Sequence, residues 1–397
     1  MDRMINTVRH YGWGSVTAIP ELAGVEPDGT PQAELWMGAH PTAPSLVQRR
    51  GEPQPLDRVI EEGPERELGE PVLRRFGPRL PFLLKLLAAE TPLSLQVHPD
   101  LARAAAGFKR ENERGIPLDA PHRTYRDGNH KPEMIVALGS FEGLCGFRTA
   151  RDCAGLLSAL NLDRMHRYCT TLRSVPEESA LRQVFSAFLT EGPALVNDVT
   201  RAVAREAHTA GPYQAAFAGY DSIARAHPAD PGLLPALMLN HFRLAPGEGL
   251  FLGAGVPHAY IRGLGVEVMA GSDNVLRCGL TTKHVDSQEL LRVIAFSAAP
   301  VRILRPTATG SGEELFATPV DDFRLSVVRP GPHREAVALD FLAPQILLCT
   351  AGTVSVIGPE GEIALPVGSS VYAPAGEPVT VAGDGTVYRA TVDVSFP

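Results

Sequence analysis

Two stretches, "LAPGEGLFLGAGVPHAY" (Leu244–Tyr260) and "LPVGSSVYAPAGEPVTV" (Leu365–Val381), align without gaps at an offset of 121 residues. Leu244, Gly247, Gly255 and Pro257 of the first meet Leu365, Gly368, Gly376 and Pro378 of the second. Each copy reads as a strand, a glycine turn, a second strand and a Gly-x-Pro step. A pattern that recurs in one chain predicts two related β-barrel or jelly-roll units. The informative difference is that His258 in the first copy becomes Val379 in the second. Copies that share a fold keep their turn glycines, whereas a site needs to survive in only one of them.

Outward from the repeat, 38 glycines and 35 prolines in 397 residues supply the dense turn punctuation of many short strands. Residues 1–60, 80–100, 130–148 and 240–285 have this texture. Between Thr149 and about Asn240 it changes. "ALRQVFSAFLTEGPALVNDVTRAVAREA" places apolar residues at helical spacing, and "GPYQAAFAGYDSIARAH" begins another such stretch. The expected organisation is therefore mainly β with a helical insertion. A first β unit is built from 1–149 and 240–304, a helical insertion covers 150–239, and a separate β unit covers 305–397.

The strand-like stretch "LSLQVHPD" (Leu93–Asp100) supplies the first candidate chemistry. Residues two apart in a strand share a face, so Ser94, Gln96 and His98 look one way while Leu93, Leu95 and Val97 look the other. Glu133 in "DGNHKPEM" and His258 in "GVPHAY" complete a set of two imidazoles, one carboxylate and one amide oxygen. Such a mixed set suits Zn²⁺, with Fe, Mn or Co as rivals. A neutral amide is a poor structural ligand, but a catalytic site tolerates one because it leaves the metal Lewis-acidic and exchangeable. Each residue also has a plainer reading: a polar strand face in water, a polar turn, or a strand histidine satisfied by its neighbours.

Other residues stand near these motifs. Lys131 lies two residues before Glu133 and shares its face, with His130 just outside that row. "MAGSDNVLRCGLTTKH" carries Asp273, Arg277 and Lys283, whose default reading is an exposed charged loop. A cationic pair beside a metal is also what a phosphorylated substrate requires. No P-loop pattern is present, and the glycine-rich runs lack the βαβ context of a dinucleotide fingerprint.

Together these motifs resemble one family, the type I mannose-6-phosphate isomerases (phosphomannose isomerases), zinc enzymes of the cupin superfamily. The resemblance rests on "YGWGS", "AELWMGAHPTAPS", "LPFLLKLLAAETPLSLQVHPD", "YRDGNHKPEMIVAL", "FEGLCGFR" and "GVPHAYIRGLGVEVMAGSDNVLRCGLTTKHVD", in family order from about residue 11 to 286. It implies two cupin (jelly-roll β-barrel) domains plus an α-helical domain, the second cupin being metal-free. It also implies one Zn²⁺ per chain, held by Gln96, His98, Glu133 and His258. The family's active-site arginine falls on Arg277, and its phosphate-binding serine and lysines fall on Ser94, Lys85 and Lys283. Lys131, His130, Glu267 and Asp273 are its candidates for proton handling. Many relatives carry lysine directly after "HPD" where this chain has Leu101, so any role of that lysine does not transfer.

The implied reaction interconverts mannose 6-phosphate and fructose 6-phosphate through a cis-enediol(ate). Alternatives are a cupin metal enzyme acting on another phosphorylated sugar, a cupin dioxygenase, or a non-catalytic sugar-binding cupin. A formal charge of -8 argues against a broad nucleic-acid surface, and no apolar run approaches the length of a membrane span. Five cysteines without a CxxC pair fit reduced thiols in a cytoplasmic protein. A small phosphorylated sugar is the expected partner, bound by a monomer or weak homo-oligomer.

Overall fold

Both copies of the repeat run into a 13-residue strand, His258–Ala270 in the first and Val379–Thr391 in the second. The preceding strands, Gly249–Leu252 and Ser370–Ala373, also match at the offset read from the sequence. The computed structural model describes residues 1–49, 51–331, 336–340 and 342–394. Among these, the strands form two 11-stranded sheets, one containing each copy.

The long strand of the first sheet is its hub. From Gly263 to Ala270 it pairs with Phe82–Ala89 and, through Gly265–Met269, with Glu133–Ala137. Its first residues, from His258, pair with Phe141–Phe147 and touch Gln96. One strand can serve both groups because it turns at Gly263, where φ is 130°. A Cβ there would meet the Phe141 backbone at 2.8 Å, so only glycine fits. The second sheet uses Gly383 in the same way, at φ 108°.

The first 60 residues bind the two sheets together. Thr7–Arg9 and Glu34–Met37 extend the first sheet. Asp2–Ile5 instead pairs with Ser370–Ala373 and with Leu46–Arg49, placing both in the second. Strand pairing thus crosses the division expected between 1–149 and 305–397. Leu84, Leu86, Val266 and Val268 share one apolar core with Leu325, Ile346, Leu348 and Tyr388, so the sheets are packed against each other. Burial of that common surface ties the stability of each sheet to the other.

The helical stretch is where periodicity placed it. Helices fill Ala150–Ala159, His166–Ser174, Glu177–Phe188, Pro193–Glu206 and Gln214–Ala226. In Glu177–Phe188 the buried residues are Ala180, Leu181, Val184, Phe185 and Phe188, an i, i+4 stripe. The helices' apolar faces enclose Leu95, Val97, Ala259, Ile261 and Leu276 in one core. These residues belong to the strands that carry Gln96, His258 and Arg277, so the helices brace those strands from behind. No helix among the described residues is long and apolar enough to cross a membrane.

Candidate metal centre and active site

Three short stretches of backbone bring the candidate ligands together. Only Leu95–Val97 of "LSLQVHPD" forms a strand, and it lies between two partners. Gln96 faces His258 on one side and Arg277 on the other. Leu95 and Val97 are fully buried among the helices, which turns Ser94 and Gln96 toward the opposite side, into a cavity of about 730 Å³. Glu133 opens its strand at the same level, across from Leu252 and Met269.

The imidazoles are held for ligation. The Nδ1–H of His98 donates to the Asn274 carbonyl at 2.8 Å, and that of His258 to the Val256 carbonyl at 2.9 Å. A carbonyl can only accept, so each Nε2 carries a lone pair. Both Nε2 atoms are buried and have no hydrogen-bond partner. They lie 3.3 Å and 3.5 Å from the same carboxylate oxygen, Oε2 of Glu133. Two lone pairs aimed at a carboxylate repel it unless a cation sits among them. Burial pushes the His98 pKa down, keeping the ring neutral as ligation requires. The Glu133 carboxyl, beside the Lys131 ammonium, is held well below its ordinary value despite its burial. The His98, Glu133 and His258 ligand atoms lie within 4.8 Å of one another, a spacing that fits a single metal ion.

Beside these ligands lies a buried charge network. Lys85 Nζ donates to Glu267 Oε2 at 3.0 Å and to Glu34 Oε1 at 3.4 Å. Tyr260 Oη donates to the other oxygen of Glu267 at 3.1 Å, and Trp36 Nε1 to Glu34 at 2.8 Å. Burial would strip the proton from Lys85, but Glu34 and Glu267 hold its pKa far above the ordinary value. Burial raises Glu267, against the pull of Lys85. Lys131 reaches Glu133 Oε1 at 3.2 Å. Asp273 stands at the wall, where His40 Nε2–H donates to it at 3.2 Å and lowers its pKa.

The cavity gathers eight of the residues named from the sequence beyond the two buried histidines: Ser94, Gln96, Lys85, Lys131, Glu133, Glu267, Asp273 and Arg277. Lys283 joins them at the rim. His130 does not line it, since its ring faces Asp322 at 2.9 Å. Lys85 lines the cavity with the carboxylates of Glu34 and Glu267 against its ammonium. The sequence reading missed Glu34, Trp36, His40, Arg126, Tyr260 and Asn274. The first three sit in "AELWMGAHPTAPS", a quoted motif whose chemistry depends on a cross-strand partner, Lys85 opposite Trp36, that spacing alone does not show.

The sequence of the catalytic domain of type I phosphomannose isomerases matches residues 1–150. Mannose-6-phosphate isomerase of Escherichia coli strain K12 is 39% identical over 98% of this chain and 99% of its own length. The chain belongs to the type I phosphomannose isomerases. A variant of the phosphomannose isomerase of Salmonella typhimurium superposes with a TM-score of 0.91 at 38% identity, covering 99% of both chains. A zinc-bound mannose 6-phosphate isomerase superposes with a TM-score of 0.90 at 37% identity, over 98% of this chain and 99% of that one. For a phosphomannose isomerase the matched span of 1–150 holds Gln96, His98 and Glu133, while His258 and Arg277 arrive from beyond the helical segment.

Proposed function

We propose that this cavity carries out zinc-dependent interconversion of mannose 6-phosphate and fructose 6-phosphate. The observation that carries the reading is the pair of buried, partnerless Nε2 atoms on His98 and His258, both facing Glu133. With Gln96 they make the four-ligand set. The strand pairing supports two cupin units, a metal-binding one and a metal-free one, that exchange strands near the N-terminus, with 150–239 as a helical insertion between strands of the first. Five free, buried cysteines support a cytoplasmic setting.

The reaction moves a proton between C2 of the aldose and C1 of the ketose, by way of a cis-enediol(ate). Zinc, when bound, supplies Lewis-acid polarisation of the substrate oxygens. Arg277 adds fixed positive charge beside Gln96, where negative charge develops on the substrate. The base needs a free lone pair at neutral pH. Lys131 is paired with Glu133, Glu267 is held by Lys85 and Tyr260, and His130 lies outside the cavity. Asp273 remains: an anionic, half-exposed carboxylate on the cavity wall, oriented by His40. We assign it the proton transfer.

A dioxygenase reading fits less well, because such sites offer His-x-His where this chain has Gln96-x-His98. The test is a coupled assay on mannose 6-phosphate, with chelator and then with zinc restored. Turnover that disappears and returns with zinc is expected. Zinc-loaded protein that leaves mannose 6-phosphate untouched overturns the reading.

A further inference from the structure

Beyond Arg277 the cavity wall is shaped by a residue of the helical insertion. Arg277 lies on Leu276–Gly279, and the chain then runs along the cavity through Leu280, Thr281, Thr282 and Lys283. The segment that follows the helix Gln214–Ala226 reaches the same cavity with His227, Pro228 and Asp230.

The turn at Leu280 depends on this second segment. Leu280 has φ 56°, a left-handed conformation that a leucine disfavours, yet its side chain is buried in the core of the helical insertion. A left-handed residue turns successive N–H groups to one side, where they form a concavity for an anion. Asp230 fills that concavity. Its Oδ1 accepts from the Leu280 N–H at 2.9 Å, and its Oδ2 from the Thr281 N–H at 3.0 Å. Oδ1 also accepts from the Gly232 N–H at 2.7 Å, which fixes the carboxylate on its own segment. Glycines let the two backbones come this close, since a Cβ on Gly279 would lie 2.4 Å from the Gly232 Cα.

The same segment grips the neighbouring strand. The His227 Nε2–H donates to the Pro92 carbonyl at 2.9 Å, two residues before Ser94. Leu95–Val97 and Leu276–Gly279 run antiparallel, with Gly279 opposite Leu95. Residues 227–232 therefore tie down the entry to the strand that carries Gln96 and the exit from the strand that carries Arg277.

We propose that Asp230 is a positioning residue for the isomerase site: it holds the wall at 280–283 against the bound sugar, and through it the helical insertion takes part in substrate binding. The proposal rests on the isomerase reading and gives the insertion a role beyond bracing strands. Arg277 keeps its own pairing opposite Gln96, so losing Asp230 loosens the wall without displacing a reacting group. The effect therefore belongs in KM rather than in kcat.

The test uses zinc-loaded protein and steady-state kinetics on mannose 6-phosphate. Asp230→Ala is expected to raise KM by roughly tenfold, the range for losing charge-assisted hydrogen bonds, with kcat within about threefold. Its zinc content is expected to match wild type. Asp230→Asn keeps one acceptor oxygen but turns a donor toward the other N–H, so its KM is expected to lie between the two. Val199→Ala opens a cavity in the core of the same insertion without touching the turn, and should leave KM unchanged. Amide exchange of the peptide 276–283, followed by mass spectrometry, should quicken by roughly tenfold in Asp230→Ala and not in Val199→Ala. Wild-type KM in Asp230→Ala would overturn the proposal, as would an equal rise of KM in Val199→Ala. Where Asp230→Ala does not fold, wild-type KM and exchange in Asp230→Asn overturn it as well. Wild-type protein that leaves mannose 6-phosphate untouched, while exchange at 276–283 still depends on Asp230, overturns the isomerase reading and leaves the clasp standing.

Discussion

Gln96 and His258 are direct cross-strand partners, in register on adjacent antiparallel strands. Their side chains therefore share one face and meet at the spacing of a strand pair, before any metal is considered. His258→Ala removes a buried nitrogen of the proposed ligand set, and Gln96→Ala removes its neighbour. Either variant is expected to fall from one zinc per chain to well below half, measured by elemental analysis after dialysis. Turnover is expected to fall in parallel, with the far-ultraviolet circular dichroism unchanged. Full zinc occupancy in His258→Ala would contradict the ligand assignment.

Val379 occupies the position of His258 in the second sheet, but it sits in an apolar core with Val381, Leu365 and Val371. Val379→His is therefore expected to add no zinc. It should lower stability by about 1–3 kcal/mol, the cost of burying an unsatisfied polar group. Zinc stoichiometry and urea midpoints decide the point. A second zinc per chain would mean that the other copy retains a hidden ligand set.

Lys85 holds together two buried carboxylates. Lys85→Met leaves Glu34 and Glu267 facing each other without a cation, at an expected cost of about 3–5 kcal/mol. Adding Glu267→Gln to that variant should restore part of the loss, since one buried charge has gone. A double-mutant cycle by chemical denaturation measures the coupling. Purely additive effects would show that the pair contributes nothing as a pair.

How much of this was legible in the sequence depends on the range of each interaction. The repeat offset and the helical stripe at Ala180–Phe188 are local periodicities, and they appear where they were read. The Gln96, His98, Glu133 and His258 positions were legible as a residue set, although the strand read through His98 ends at Val97. Their convergence needed strand register, which sequence does not specify. The pairing of Lys85 with Glu34 and Glu267 joins three strands, so the two carboxylates around that lysine could not be read from local spacing. Asp2–Ile5 was misplaced for the same reason, because a four-residue strand carries no mark of the sheet it will join.

Glu142 gives the acid limb of stability a specific source. Burial opposes its ionisation, but hydrogen bonds and charge from His241 and Arg262 bring its pKa down to about 2. A carboxyl whose folded pKa is depressed stabilises the fold above its unfolded value, near 4.5. That contribution is lost as pH falls from there through about 2. Glu142→Gln is thus expected to be less stable than wild type at pH 7, with the two urea midpoints converging as pH approaches 2. A difference that stays constant across this range would place the effect in packing rather than in ionisation.

His40 is placed to orient the proposed base. The Thr42 N–H donates to its Nδ1 at 3.3 Å, so the remaining proton sits on Nε2 and points at Asp273 Oδ1. The Trp36 edge fixes the ring, at a centroid distance of 4.8 Å. Asp273→Asn keeps the shape but removes the basic lone pair, and it is expected to lower kcat by about 10²–10⁴-fold. His40→Phe, which leaves the carboxylate but frees its orientation, should cost less, roughly tenfold, and move the acid limb of the kcat/KM profile to higher pH. In deuterated water, wild-type enzyme should place solvent label on C1 or C2 of the recovered sugar. Asp273→Asn should slow label incorporation and turnover together. Label entering Asp273→Asn product at the wild-type rate would assign the proton transfer to another group, and an Asp273→Asn variant with wild-type kcat would do the same.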